Sequence, residues 1–488
     1  MKTLNKILQN LNVTKIIGGA DIDIADINFD SRKIGNNQLF IALKGVQSDG
    51  HNYILKAIEK GAVAIVCELL PKEIKPEITY VLVVDSHYAL GYIASEFYDN
   101  PSGKLKLIGV TGTNGKTTIA TLLHNLFKKL GYKSGLISTV SNIVDEEIVA
   151  STHTTPDAIK LNELLNRMVD SGCDYCFMEV SSHSIVQNRI AGLNFKGGIF
   201  TNITQDHLDY HKTFKEYINA KKMFFDNLPN SAFALTNIDD RNGEFMLQNC
   251  KSKKYSFAIH SFADFKCRVL ESHFEGMLID VKGIEVWTKL IGDFNASNLL
   301  AVYSTAILLD QKSYEVLQNI SSLNSVKGRF EYIRSSNGIT AIIDYAHTPD
   351  ALKNVLTTIN QIRSGNEQLI TVVGAGGDRD KTKRPIMGKI VSALSNKVIL
   401  TSDNPRSENS NDIINDMKKG IQPIFIKNTI SIIDRKEAIK TAYMFAKKSD
   451  IILIAGKGHE NYQEINGVKK HFDDKEIVEQ LFKNVLNC

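Results

Sequence analysis

Residues Leu105 to Thr118 read LKLIGVTGTNGKTT, and they restrict the possible folds more than any other stretch of the chain. An apolar run, Leu105 to Val110, leads into a turn carrying Gly112 and Gly115, followed by Lys116, Thr117 and Thr118. The next residues, IATLLHNLFKKLG, have helical periodicity and stop at Gly131 as a helix C-terminus does. Strand, glycine-rich turn and helix, in that order, make a phosphate-binding loop. Glycines let backbone amides close around a polyphosphate, the helix N-terminus faces the anion, and the lysine adds a point charge. A threonine directly after the lysine is suited to Mg²⁺. Against the pattern G-x-x-x-x-G-K-[ST], the first position is Val110, and Gly109 falls one residue early. The plainer alternative is an ordinary glycine turn before a helix.

At 488 residues the chain exceeds one core, and roughly 150 residues per domain predicts three domains. A net charge of +4 is small for this length and argues against a nucleic-acid partner. No apolar run approaches the ~18 residues of a membrane span. The N-terminus, MKTLNKILQNLNVTK, lacks a signal-peptide core, so a cytoplasmic protein is expected. Six cysteines in this length form no disulfide framework. Cys173 and Cys176 form a C-x-x-C inside GCDYCFMEV, which reads as a strand entering a core, so both are expected to be structural.

Three α/β regions follow from the alternation of patterns: 1–102, 103–332 and 333–488. The first is small, with strands predicted over 22–29, 39–43, 62–67 and 80–84 and polar loops DSR and GVQSDGH. Asn100 to Gly103 reads as a linker. In the second, a mostly parallel sheet with helices on both faces is expected, its strands ending in EVSSH, TNITQDHLDYH and TNIDD. Ligands of such sheets bind at the carboxyl ends of strands, so these clusters should converge on the phosphate loop. Lys251 to Lys289 reads as a β-rich insertion, followed by a loop with Asn295 and Asn298 that opens a long helix. The third region is Rossmann-like, its strands running into DYAHTPDAL, GAGGDRDKTKRP, SDNPRSEN and AGKGHE.

Mg²⁺ beside a polyphosphate needs oxygen ligands, with imidazole as a further donor, and Thr117, Glu179 and His207 are the candidates. Arg379, Lys381, Lys383 and Arg384 add cations. The residues therefore describe an ATP-using enzyme. A P-loop motor or switch protein would need an apolar strand ending in Asp near the loop. A simple kinase would not need the charged third region.

The motifs DSR, DGH, GTNGKTT, TTPD, EVSSH, TNITQDHLDYH, YINAKKMFF, GDFNASNLLA, VKGRFE, DYAHTPDAL, GGDRDKTKRP, DNPR and GKGHE, in this order, resemble those of the Mur ligases over essentially the whole length. The family's own loop carries the Val110 variation. The resemblance implies that ATP phosphorylates a D-glutamate carboxylate of UDP-N-acetylmuramoyl-L-alanyl-D-glutamate, and that an amino acid then displaces phosphate. It implies a cytoplasmic, monomeric enzyme of peptidoglycan-precursor synthesis. Folylpolyglutamate synthetase shares this plan, but DSR, DGH and DNPR argue against it.

The same resemblance implies residue roles. Gly112, Thr113, Asn114, Gly115, Lys116, Thr117 and Thr118 would hold phosphates. Asn295, Asn298, Arg329, Asp344 and His347 would meet the rest of ATP. Thr117, Glu179 and His207 would serve Mg²⁺, with Lys221 converted by CO₂ to a carbamate ligand and Lys222 excluded. Phe29, Ser31, Val46, Gln47 and Ser48 would take the uridine end. His153, Thr154, Thr155, Ser181, Gln187 and Arg189 would take the muramoyl dipeptide, with His153 standing where relatives often carry Asn. Arg379, Asp403, Asn404, Pro405, Arg406, Gly456 and Glu460 match a pocket for meso-diaminopimelate. Arg406 can pair with the distal carboxylate that lysine lacks, so diaminopimelate is expected over lysine.

Overall fold

The computed structural model describes residues 1–45, 48–151 and 153–483. Near the N-terminus lies a five-stranded sheet with the order Lys15–Ile17, Thr79–Leu82, Ala62–Cys67, Gln38–Ile41, Asp26–Asn28. It is parallel except for the first strand. The strand expected over 22–29 is broken at Ala25, because Asp23–Ile24 pairs with Lys2–Thr3 while Asp26–Asn28 pairs with Gln38–Ile41. Asp85 caps the helix Ser86–Phe97, accepting the Tyr88 N–H at 2.9 Å. The expected linker is well packed. Pro101 and Ser102 are buried, and Ser102 Oγ accepts the Asn194 N–H at 3.0 Å.

The central sheet has eleven strands among the described residues. Its parallel core runs Ser134–Ile137, Tyr175–Glu179, Lys106–Thr111, Gly197–Phe200, Phe233–Asn237, Lys253–Ala258. The phosphate-loop strand therefore lies in the middle, buried from Leu107 to Thr111. Lys116–Lys129, Asp293–Leu308 and Ser313–Ile320 cover one face, and Ala158–Asp170 and Phe214–Asp226 cover the other. Cys173 and Cys176 are both buried, and burial raises both thiol pKa values, as structural cysteines require. Lys251 to Lys289 is no separate insertion. Its strands Phe265–His273, Gly276–Val281 and Ile284–Thr288 form an antiparallel meander that extends this sheet. Met277, Ile279 and Val281 enter the same core as the helix Asp293–Leu308.

A six-stranded sheet follows, ordered Glu331–Arg334, Thr340–Asp344, Ile451–Ala455, Leu369–Val373, Lys397–Leu400, Thr429–Ser431, with only the first strand antiparallel. Behind it, Arg435 on one helix pairs with Asp474 on the last, at 2.8 and 2.7 Å, with both side chains fully buried. Arg435 Nη2 also donates to Ala455 O at 3.1 Å, which ties the pair to the end of the central strand. Asp474→Ala strands a guanidinium in the core and should destabilise the protein by about 3–5 kcal/mol. Thermal unfolding checks this, and an unchanged Tm would contradict it. No helix among the described residues is long and apolar enough to cross a membrane.

Candidate active site

The carboxyl ends of both large sheets face one cleft of about 720 Å³. At its base lies the phosphate loop. Gly112 and Gly115 adopt φ of +149° and +88°. A Cβ on Gly112 would lie 1.9 Å from Thr201 Oγ1, so the close approach itself demands glycine. Lys116 begins the helix and folds back over the loop, donating to Gly112 O at 2.9 Å and Thr113 O at 2.8 Å. Burial lowers its pKa, opposed by Glu179 and Asp206. Thr201 Oγ1 donates to Asn114 O at 2.6 Å, and Asn202 Oδ1 accepts the Asn114 N–H at 3.0 Å, so the neighbouring strand end braces the loop.

Lys221 reaches the same carbonyl from the helix Phe214–Asp226, its Nζ donating to Gly112 O at 2.8 Å and lying 4.6 Å from the Tyr217 ring centroid. It is 1% exposed, and no carboxylate among the described residues lies within ion-pair distance of it. Burial, reinforced by Lys116, drops its pKa far below that of a free lysine. Its neighbour Lys222 is a different case, bound to both oxygens of Asp226 at 2.7 and 2.8 Å.

Thr117, Glu179 and His207 all line this cleft. Glu179 ends a strand, its Oε1 accepting the Thr139 N–H at 2.7 Å. His207 sits at left-handed φ of +55°, which turns its ring toward the loop region beside His183, 5.0 Å away between centroids. Burial keeps the His207 imidazole neutral. Among the described residues no group of three His, Cys, Asp or Glu forms a ready metal cage. The donors present are one hydroxyl, one carboxylate and one neutral imidazole. They fit an ion that keeps waters and draws further oxygens from phosphates, as Mg²⁺ does.

Asn295 and Asn298 are placed by the first turns of the helix Asp293–Leu308, not by a loop before it. Asn298 Nδ2 donates to Asn295 Oδ1 at 3.2 Å, and both asparagines line the cleft with Phe257, Phe294 and Val355. Arg329 crosses from the segment between the sheets to donate to Thr117 Oγ1 at 3.1 Å, its guanidinium 4.3 Å from the Tyr345 ring centroid. Asp344 accepts the N–H groups of Phe330 at 2.6 Å and Ala346 at 2.7 Å, and burial raises its pKa. Burial, helped by Lys383, brings His347 down to about 4.

From the C-terminal sheet come Arg379, Asp403, Asn404, Arg406, Gly456 and Glu460, all lining the cleft, while Pro405 is buried in the turn beneath. Arg406 adopts φ of +52° and donates through Nη1 to Gly377 O at 2.6 Å. Its backbone is held on both sides, its N–H donating to Glu464 O at 3.1 Å and its carbonyl accepting the Asn466 N–H at 2.7 Å. Asn404 Nδ2 donates to Glu460 Oε2 at 2.7 Å.

Of the residues expected at the muramoyl dipeptide, Thr154 and Ser181 line the cleft, and Thr155, Gln187 and Arg189 form a hydrogen-bond network outside its lining. Thr139 Oγ1 donates to Thr154 Oγ1, Thr155 Oγ1 donates to Glu179 O at 2.8 Å, and Ser181 N donates to Thr155 Oγ1 at 3.2 Å. Arg189 donates to Thr155 O at 2.8 Å and to Gln187 Oε1 at 2.9 and 2.6 Å. His153 is exposed and does not line the cleft. Phe29, the buried Ser31 and the exposed Ser48 belong to the first unit and do not line the cleft. Val46 and Gln47 lie outside the described residues.

Two acids in the cleft, Asp350 and Asp206, were missed by sequence reasoning. Asp350 accepts the Asn114 Nδ2–H at 3.1 Å. Asp206 lies 3.9 Å from Lys383 across the two sheets. Burial pushes its carboxyl pKa up, but His207, Lys383 and His347 outweigh that and hold it below the usual carboxylate range. The hint was local: both acids sit in quoted strand-end motifs, TNITQDHLDYH and DYAHTPDAL.

The profile "Mur ligase middle domain" matches residues 110–306. The profile "Mur ligase, glutamate ligase domain" matches 328–458, and "Mur ligase family, catalytic domain" matches 23–98. The chain is 59% identical to the UDP-N-acetylmuramoyl-L-alanyl-D-glutamate–2,6-diaminopimelate ligase of Bacteroides fragilis, over 98% of this chain and 99% of the relative. A solved structure titled as that ligase aligns over 99% of both chains with a TM-score of 0.70 and 31% identity. The folylpolyglutamate synthase of Thermotoga maritima, at 17% identity and a TM-score of 0.58 over 76% of this chain and 90% of its own, shares the fold alone. From residues 23 to 458, and over nearly its full length beside its relatives, the chain belongs to the Mur ligase family.

Proposed function

We propose that this chain joins meso-diaminopimelate to the D-glutamate side-chain carboxylate of UDP-N-acetylmuramoyl-L-alanyl-D-glutamate, using ATP and releasing ADP and phosphate, in the cytoplasmic synthesis of peptidoglycan precursor. What carries this reading is one cleft that holds Lys116 at its base and Arg406, Asp403 and Glu460 on the opposite sheet. Near-full-length likeness to ligases of that name supports it. Under this reading residues 1–102 receive the uridine end, 103–332 bind ATP and 333–488 bind the incoming amino acid.

The chemical problem is to bring a carboxylate against a γ-phosphate. Lys116, the helix N-terminus behind it and Arg329 supply positive charge along the phosphates, where charge shifts as the carboxylate oxygen bonds to phosphorus and ADP leaves. Thr117, Glu179, His207 and a carbamylated Lys221 would hold Mg²⁺, which when bound neutralises phosphate charge. Thr154 and Ser181, the latter braced by the Thr155–Arg189 network, would orient the carboxylate. The amino acid's amine then attacks the acyl phosphate carbonyl, phosphate departs and an amide remains. Asp403 and Glu460 would receive the substrate's ammonium groups, and Arg406 its distal carboxylate. Lysine lacks that carboxylate and would leave the guanidinium unpaired.

Ligation assayed with each amino acid, following ADP release and product mass, tests the reading. Product is expected with diaminopimelate, ATP and the UDP-linked dipeptide together. Efficient lysine incorporation without diaminopimelate activity would overturn the substrate, and turnover without the UDP-linked dipeptide would overturn the acceptor.

A further inference from the structure

Lys457, in GKGHE, does not line the cleft, yet it is the most deeply placed cation behind it, with no exposed surface. Its ammonium donates to Asn404 Oδ1 at 3.1 Å and Glu460 Oε2 at 3.2 Å, and it lies 4.0 Å from Asp403 Oδ1. The ring of Tyr462 closes the remaining side, with its centroid 5.5 Å away. One side chain thus touches three residues that do line the cleft, from both motifs that build its far wall.

Two consequences follow from the chemistry. Glu460 is partly buried beside the buried Asp403, and burial together with the Asp403 carboxylate raises its pKa. The buried Lys457 ammonium works against that rise and so favours the charged Glu460 that would receive a substrate ammonium group. The second consequence concerns the Asn404 amide. Its Oδ1 accepts from Lys457 Nζ and from the Glu464 N–H at 3.0 Å, which turns Nδ2 toward Glu460. The amide orientation is dictated by donors behind the wall, and one Nδ2 hydrogen is left for a ligand.

We infer that Lys457 is a positioning residue for amino-acid selection: buried behind the wall, it holds the Glu460 carboxylate and the Asn404 amide in place and lies against Asp403, without touching substrate. This rests on the proposed function, since it assumes that the far wall receives the incoming amino acid.

The test is steady-state kinetics of the full chain with each substrate varied in turn. Lys457→Met should raise KM for diaminopimelate by about tenfold to a hundredfold, because it leaves buried acceptors unpaired, with KM for ATP and for the UDP-linked dipeptide within about twofold. A general loosening of the fold would move all three constants, so equal changes in the three would overturn the inference. So would an unchanged KM for diaminopimelate. Should Lys457→Met not accumulate as folded protein, Lys457→Gln, which keeps a donor but no charge, carries the same criteria. The double variant Lys457→Met with Glu460→Gln removes one charge of each sign. Its loss should be less than the product of the single losses, and full multiplicativity would show that the lysine does not act through Glu460. Wild-type protein assayed alongside separates the two levels: failure to ligate diaminopimelate there refutes the reading of the wall itself, and normal wild-type ligation with an unaffected variant refutes only the role of Lys457.

Discussion

Replacing Lys221 with alanine should lower kcat by about two orders of magnitude, the scale of losing one well-placed electrostatic group in a closed site. Excess bicarbonate should do nothing for that variant, whereas a short carboxylate such as acetate or formate should restore part of the rate. Carbamylation needs a neutral amine within reach of CO₂. Lys221 is a deeply buried lysine whose pKa is driven down by desolvation and by Lys116, and among the described residues it has no carboxylate partner. In the wild type, dialysis against CO₂-free buffer should reduce activity, and added bicarbonate should recover it. A fully active Lys221→Ala variant would remove the lysine from the mechanism.

Arg406→Ala should lower kcat/KM for diaminopimelate by about a hundredfold to a thousandfold, because a bidentate, charge-assisted pair with the distal carboxylate is lost. Any residual rate with lysine should stay the same, so the ratio of the two kcat/KM values is the measurement that decides. Arg406→Lys should recover little. The guanidinium is held by Gly377 O at its Nη1, and a flexible ammonium does not reproduce its planar geometry. Equal losses with both amino acids would mean that Arg406 supports the fold and not the choice of substrate.

Much of this was legible in the residues because it depends on local order. Strand, loop and helix at Leu105 to Gly131 follow from spacing alone, and parallel sheets put strand ends on one side, so the convergence of EVSSH and TNITQDHLDYH on the loop could be foreseen. Tertiary partners could not. Lys221 and Lys222 are adjacent and chemically identical in sequence. Only the fold shows one held by Asp226 and the other buried beside the phosphate loop. Asp206 and Lys383 lie far apart in the chain, and nothing local announces that they face each other. The stretch 251–289 misled for a related reason. Its short, irregular strands carry no sign that they add to the edge of an existing sheet, since register with Lys253–Ala258 is set by partners and by the helix Asp293–Leu308 beneath.

Three polar bridges between the two large sheets, Asn114 to Asp350, Thr117 to Arg329 and Asp206 to Lys383, stand in the cleft that the proposed reaction would use. An arriving substrate therefore replaces bonds the protein already makes with itself. Only the difference between old and new partners remains as affinity, so tight retention of either substrate or product is disfavoured. Under the proposed reaction such a cleft would favour turnover over tenacity, with ADP and the finished nucleotide peptide replaced on leaving by the protein's own side chains.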